Sequence, residues 1–234
     1  MSEYQGKELE LFEYAENWKR YFASHMKPYL KGSVLEVGAG IGGTTKVLCD
    51  ANQISWTCLE PDERQVSQIN SLINSKNLPN YCKAICGTLK EHAPQELYDV
   101  VLYIDVIEHI EKDKDEVALA TKFLKPGGIL IILVPGHQWL YSEFDKVIGH
   151  YRRYSMRTLR EIIPASMTEK KLFYIDIAGV LASLVNKFFL KRSYPTKKQI
   201  YFWDKVLIPI SRKIDFLTSR ISGRSLISIS ERIV

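Results

Sequence analysis

The stretch Ser33–Thr45, SVLEVGAGIGGTT, constrains the chain more than any other. It opens on Val34, Leu35 and Val37, an apolar run of strand character with one carboxylate, Glu36, inside it. Gly38, Gly40, Gly42 and Gly43 follow, and Thr44 and Thr45 start a segment able to run as a helix towards Asp50. Glycine admits positive φ and lets a ligand approach the backbone without meeting a Cβ. The pattern is a strand, a tight turn and a helix start, the first turn of an open α/β sheet whose ligands bind beyond the carboxyl ends of the strands. A glycine-rich turn by itself also serves as a plain connector. Glu36, standing where a dinucleotide fingerprint carries an apolar residue, and Glu60 further on distinguish this one.

Alternation then continues. Strands are expected at Ser55–Leu59, Tyr81–Ile85, Tyr98–Ile104 and Ile129–Val134, with helices at Glu63–Lys76 and Glu111–Phe123 between them. That order predicts a parallel sheet with helices on both faces. Glu60, about 20 residues beyond the glycines and followed by Pro61, is placed to accept two hydrogen bonds from a ribose diol, while Asp62 caps the next helix. Asp105, Glu108 and His109 fall at i, i+3 and i+4, one face of a helical turn. Three roles stay open for them: orienting a substrate or taking its proton, holding a divalent metal with His137, or forming a structural cap and hydrogen-bond pair.

After the fifth strand comes GHQWLYSEFDKVIGHYRRYS, too polar, aromatic and basic for a simple connector. His137 should face a substrate pocket, and its near-neutral titration makes it the first candidate for a general base. Asp105, His109 and His150 are its reserves. Arg152 and Arg153 can fork onto a carboxylate or phosphate, and the tyrosines beside them, Tyr151 and Tyr154, can stack on a ring. The competing expectation pairs the two arginines with Glu143 and Asp145 to pin the loop.

VLEVGAGIGG resembles the first motif of class I S-adenosylmethionine-dependent methyltransferases. DVIEHI and LKPGGILIILVP resemble later motifs of the small-molecule, ubiquinone-biosynthesis type, and HYRRY resembles a string of a bacterial subgroup. The likeness runs from Ser33 to Pro135. It implies a Rossmann-like sheet with a final antiparallel strand, here Ser225–Ser230, and S-adenosyl-L-methionine as cofactor, with S-adenosyl-L-homocysteine as product. It also implies that Glu36, Gly38, Ala39 and Gly40 hold the methionine end, that Glu60 and Pro61 lie at the ribose, that Thr88 and Leu89 line the adenine pocket, and that Asp105 lies near the sulfonium. The leading helix, Glu8–Leu30, would cross the mouth of that site, with Tyr21 beside the acceptor. Two other classes remain: a non-catalytic cofactor-binding scaffold on the same fold, and an NAD-dependent oxidoreductase, against which Glu36 and DVIEHI count.

The expected organisation is an N-terminal helical cap (1–32), a cofactor-binding core (33–177) with a substrate loop (136–155), a helical insertion (178–222) and the last strand (223–234). With 234 residues and 46% hydrophobic side chains, the chain can bury one sizeable core. Neither a signal peptide nor a spanning helix is evident, so a cytoplasmic protein is expected, and its four cysteines read as buried thiols. Net charge is +5 overall. Residues 1–180 carry 21 basic and 24 acidic side chains, however, and residues 181–234 carry 11 and 3. An acidic catalytic half argues against a long nucleic-acid track, and Arg152 and Arg153 point to an acidic group on a small-molecule or lipid-linked acceptor. In the insertion, Trp203, Leu207, Ile210, Ile214, Leu217 and Ile221 step by four and three like a heptad seam. Packing of that seam onto the chain's own core or a partner subunit is expected ahead of peripheral membrane contact.

Overall fold

The computed structural model describes residues 7–50, 52–93, 97–190 and 194–233. The leading segment forms two helices, α1 (Lys7–Phe12) and α2 (Glu16–Met26), where one was expected. The break falls at Tyr14 and Ala15, where Glu16 N donates to Tyr14 O instead of a carbonyl four residues back. The sheet then starts with β1 (Gly32–Val37), followed by α3 (Thr45–Leu48), β2 (Gln53–Glu60), α4 (Glu63–Asn74), β3 (Cys82–Cys86) and β4 (Tyr98–Ile104). Next come α5 (Asp113–Lys122), β5 (Leu124–Pro135), α6 (Glu143–Val147), α7 (Met156–Ile162) and β6 (Met167–Ile175). The helices α8 (Ile177–Val185), α9 (Lys197–Phe202) and α10 (Ile208–Thr218) precede β7 (Ser225–Arg232).

The strands order as β3-β2-β1-β4-β5-β7-β6. The first five are mutually parallel, and β7 runs antiparallel between β5 and β6. This is the Rossmann-like class I methyltransferase sheet. Alternate residues of a strand point to opposite faces, so β1 divides its side chains between two cores. Val34 packs with Trp56, Leu102 and Ile131 under α2, whereas Leu35 packs with Tyr103, Ile132 and Val117 under α5. Because β1, β2, β4 and β5 are parallel, the turns after them share one edge of the sheet. Glu36, Glu60, Asp105 and His137 therefore belong to that edge although 101 positions separate the first from the last.

Candidate active site

The glycine turn is held by its neighbours' carboxylates. Gly38 N and Ala39 N both donate to Leu59 O, and Gly40 N donates to Glu60 Oε2 at 2.9 Å. Gly38 has φ of 70° and Gly40 of 57°, the left-handed region that glycine tolerates. A Cβ on Gly38 would lie 2.6 Å from Val106, while one on Gly40 would lie 3.3 Å from Leu9 of α1, so α1 reaches over this turn. Glu60 also accepts from Asp62 N at 3.1 Å. An ionised carboxylate offers about four acceptor directions, so two remain for a diol. Burial raises the Glu60 pKa, partly offset by those two backbone donors. Glu36 is engaged differently. Thr44 and Thr45 hydroxyls donate to its two oxygens at 2.7 and 2.6 Å, and Trp56 Nε1 donates at 2.9 Å. With three donors of its own chain, this buried carboxylate ties β1 to α3 and shapes the turn. By the same count one of its acceptor directions is left over.

Beyond β4 the chain turns through Asp105 at φ 53° into a short helical turn, Ile107–His109. Asp105 is exposed to solvent by its surface area yet has protein closely around it. Burial pushes its pKa to about 6 against the pull of His150, Arg224 and Arg153. Glu108 is fully buried, and neither of its carboxylate oxygens has a hydrogen-bond partner. His150 Nε2 lies 3.8 Å from Glu108 Oε1, while its Nδ1 meets Asp145 Oδ1 at 2.9 Å. The His109 and His150 rings meet edge to face with centroids 4.5 Å apart. Burial and the neighbouring His150 lower the His109 pKa to about 3, whereas burial and then Asp105 raise that of Glu108. Among the described residues, Glu108, His109 and His150 present ligand atoms within 4.8 Å of one another, a set able to hold a metal ion.

His137 stands at the end of β5 with φ of 63°. Its ring stacks on Tyr174 at 4.6 Å, and Nε2 lies 3.0 Å from Ser222 Oγ. Burial and then Arg153 lower its pKa, which keeps the imidazole neutral at pH 7. Arg224, just before β7, lies over Trp203, 4.6 Å from the ring centroid, and its charge acts on Asp105. Nothing in the local sequence marks it, since only the antiparallel return of β7 brings it there. A hollow lined by Pro28, Tyr29, Lys125 and Gly128 lies at the opposite edge of the sheet, where β4 and β5 begin.

A family model described as a methyltransferase domain matches residues 10–166. The chain belongs to that family. This methyltransferase-domain chain is 28% identical to the ubiquinone biosynthesis O-methyltransferase of Rickettsia canadensis over 110 residues, 47% of this chain and 45% of that protein. It is likewise 28% identical to that of Idiomarina loihiensis over 109 residues, 46% of this chain and 44% of the other. It thus spans about half the length of these curated relatives. Among solved structures it resembles a sarcosine dimethylglycine methyltransferase from Galdieria sulphuraria (TM-score 0.61, 16% identity, 93% of this chain and 84% of the other). It also resembles the N-methyltransferase NodS from Bradyrhizobium japonicum in complex with S-adenosyl-L-homocysteine (TM-score 0.58, 12% identity, 94% and 88%). At these identities the likeness is one of fold.

Several side chains of this family member lie elsewhere than expected. His137 is not with Glu108 and His109; His150 takes that place because Tyr151 N donates to Glu108 O and draws the loop across. Arg153 forks onto Asp145, Nε to Oδ1 at 2.7 Å and Nη2 to Oδ2 at 2.9 Å, leaving only Nη1 buried without a partner. Arg152 pairs with Asp113 at 2.6 Å and donates to Glu111 O. Both arginines thus pin the loop, Arg153 through the expected Asp145 and Arg152 through Asp113 in place of Glu143. Tyr154 is buried and donates to Asp113, so it cannot stack on a ligand, whereas Tyr151 stays half-exposed beside Arg152. Tyr21 is buried and donates to Asp215 at 2.6 Å, which fastens α2 to α10 and leaves it no acceptor to touch. Leu89 packs in the core with Leu35 and Leu59, so of the expected adenine pair only exposed Thr88, bonded to Glu91, remains accessible. Pro61 is exposed at the end of β2.

Proposed function

We propose that this chain is an S-adenosyl-L-methionine-dependent methyltransferase that methylates a hydroxyl of a small-molecule or lipid-linked acceptor. The observation that carries it is the shared sheet edge on which a positive-φ glycine turn and a two-bonded Glu60 stand together with the neutral imidazole of His137. Positive φ at Gly38 and Gly40 and the two remaining acceptor directions on Glu60 fit the methionine and ribose portions of the cofactor. When bound, S-adenosyl-L-methionine supplies a methyl group on a sulfonium, an electrophile that needs no further activation. The chain then has to orient the acceptor and take its proton. Orientation alone is worth up to ~7–11 kcal/mol of barrier. In the tautomer whose Nε2–H donates to Ser222, His137 keeps a lone pair on Nδ1 to accept the hydroxyl proton, a step worth ~10²–10⁴ in rate. Asp105, exposed beyond β4 on the same edge of the sheet, is the alternate base.

The resemblance to ubiquinone O-methyltransferases supports a phenolic acceptor of quinone type. An acidic group on that acceptor has less support than the sequence suggested, because Arg152 and Arg153 are paired with Asp113 and Asp145. Calorimetric titration with S-adenosyl-L-methionine, S-adenosyl-L-homocysteine and NAD tests the reading. The first two should bind, NAD should not, and Glu60→Ala should weaken the first two at least about 100-fold, the worth of two charge-assisted hydrogen bonds. Binding of NAD, or of neither sulfur compound, refutes it; binding without methyl transfer to any fraction of a cell extract favours the scaffold.

A second reading rests on Glu108. A buried carboxylate with two unpaired oxygens is costly unless it is protonated or meets a cation. His150 faces it with Nε2 while Asp145 holds Nδ1, the arrangement by which an outer carboxylate orients a metal-bound imidazole. A divalent cation held by Glu108, His109 and His150 would give the unpaired Glu108 oxygens a partner. Added Mn²⁺ should then raise the melting temperature of the chelator-treated protein, and His150→Gln should abolish that rise.

A further inference from the structure

The side of α9–α10 that packs on the protein buries Ile200, Trp203 and Ile208 in the core and sets buried polar groups beside them: Asp215 accepts from Tyr21, Asp176 N and Ile177 N, Ser211 donates to Asp176, and Asp204 accepts from Trp18 N. The outward side is apolar. Phe202, Val206, Ile210, Ile214, Leu217 and Ile221 recur at intervals of four, four, four, three and four and are all exposed, Leu217 by 67% and Ile221 by 75%. The heptad seam expected to pack on the core thus faces away from it, apart from buried Trp203 and half-buried Leu207.

Charge selects what can cover this stripe. From residue 197 to 221 every exposed charged side chain is basic, because the two acids, Asp204 and Asp215, are 1% and 3% exposed. Lys198 precedes Phe202 by four residues, and Lys213 and Arg220 follow Ile210 and Leu217 by three, so the cations border the apolar stripe itself. A second copy meeting this face about a twofold axis would present the same cations to it. An anionic bilayer surface offers both an apolar interior for the stripe and negative headgroups for its border. No described helix is long and apolar enough to cross a membrane, so the contact would be interfacial. At the ends of the insertion, Lys187 donates to Trp139 O and Ser222 contacts His137, so the insertion adjoins the loop that follows β5.

We infer that α9–α10 docks the protein on anionic lipid, apolar stripe inward and lysines at the headgroups. The test is co-sedimentation of the full chain with vesicles of phosphatidylglycerol and phosphatidylcholine in equal parts, against phosphatidylcholine alone. Sedimentation with the first only is expected, with release between ~0.1 and ~1 M salt as the screening length falls from ~10 to ~3 Å. Lys213→Gln and Arg220→Gln should each weaken partitioning roughly fivefold, and Leu217→Glu with Ile221→Glu should abolish it while circular dichroism stays unchanged. Equal binding to both vesicles, or none to either, overturns the inference. So does a solution mass twice that of the chain that halves in the Leu217→Glu, Ile221→Glu variant, because the stripe would then be covered by a second copy.

Discussion

Replacing Arg153 by alanine separates a pinned loop from an acceptor-binding one. The Arg153 side chain is 6% exposed and its partner Asp145 is 0% exposed. Asp145 also accepts from Ser142 N, Ser142 Oγ and His150 Nδ1. Burial alone would raise the Asp145 pKa, but His150 and the Arg153 fork outweigh it and hold the carboxylate below its ordinary value. Arg153→Ala leaves that charge buried with its strongest partner removed. Breaking a buried pair in this way costs ~3–5 kcal/mol. For a chain of this size each kcal/mol lowers Tm by about 2–4 °C, so the expected loss is about 6–20 °C. Differential scanning calorimetry should show that loss for Arg153→Ala and a similar one for Asp145→Ala. The double variant Arg153→Met, Asp145→Leu should be more stable than the sum of the single losses implies by ~1–3 kcal/mol. A Tm of Arg153→Ala within about 2 °C of the parent, with only acceptor KM raised, would refute the reasoning.

Glu36→Ala removes the acceptor of Thr44, Thr45 and Trp56, so stability and cofactor affinity should fall together, read by calorimetry and by the Trp56 contribution to fluorescence. Gly40→Val puts a β-branched residue at φ 57° against Leu9 and Gln65, and should abolish cofactor binding in a chain that still folds. His137→Gln should lower kcat by ~10²–10⁴ with little change in cofactor affinity. Because the His137 pKa is lowered from 6.5, the base is lost only as pH falls through that lower value. The acid limb of the rate profile should therefore lie below pH 6.5 and vanish in His137→Gln, whereas a limb above 6.5 would exclude His137 as the base.

The fold was legible because its signals are local. The strand, glycine turn and helix at Ser33–Thr45, the apolar run Tyr98–Ile104 and the Lys125–Gly128 turn each carry their own pattern over a few residues. Partners were less legible. Tyr21 meets Asp215 across 194 positions and Tyr154 meets Asp113 across 41, and neither tyrosine's neighbours specify a buried acid so far away. Arg153 lies only eight residues from Asp145, which is why pinning was already one of its two readings. Periodicity told which residues of α10 share a side but not which side turns inward. That choice was made by Asp176, which on the far side of the insertion accepts from Trp203 and Ser211 and so demands polar neighbours.

The place of β7 in the sheet has a bearing on how the chain is made. β6 pairs with β7 and with no other described strand, and β7 in turn closes the open edge of β5. β6 ends at Ile175 and β7 begins at Ser225. At ~5–20 residues per second on the ribosome, the finished β6 and the edge of β5 wait roughly 3–10 s for their common partner. During that interval the nascent chain displays two unpaired strand edges together with the apolar faces of α8–α10, surfaces that holdase chaperones recognise. A stop codon placed between Ile175 and Ser225 would leave that state permanent, so such truncated products should be found in aggregates or in proteolytic fragments that end near β5.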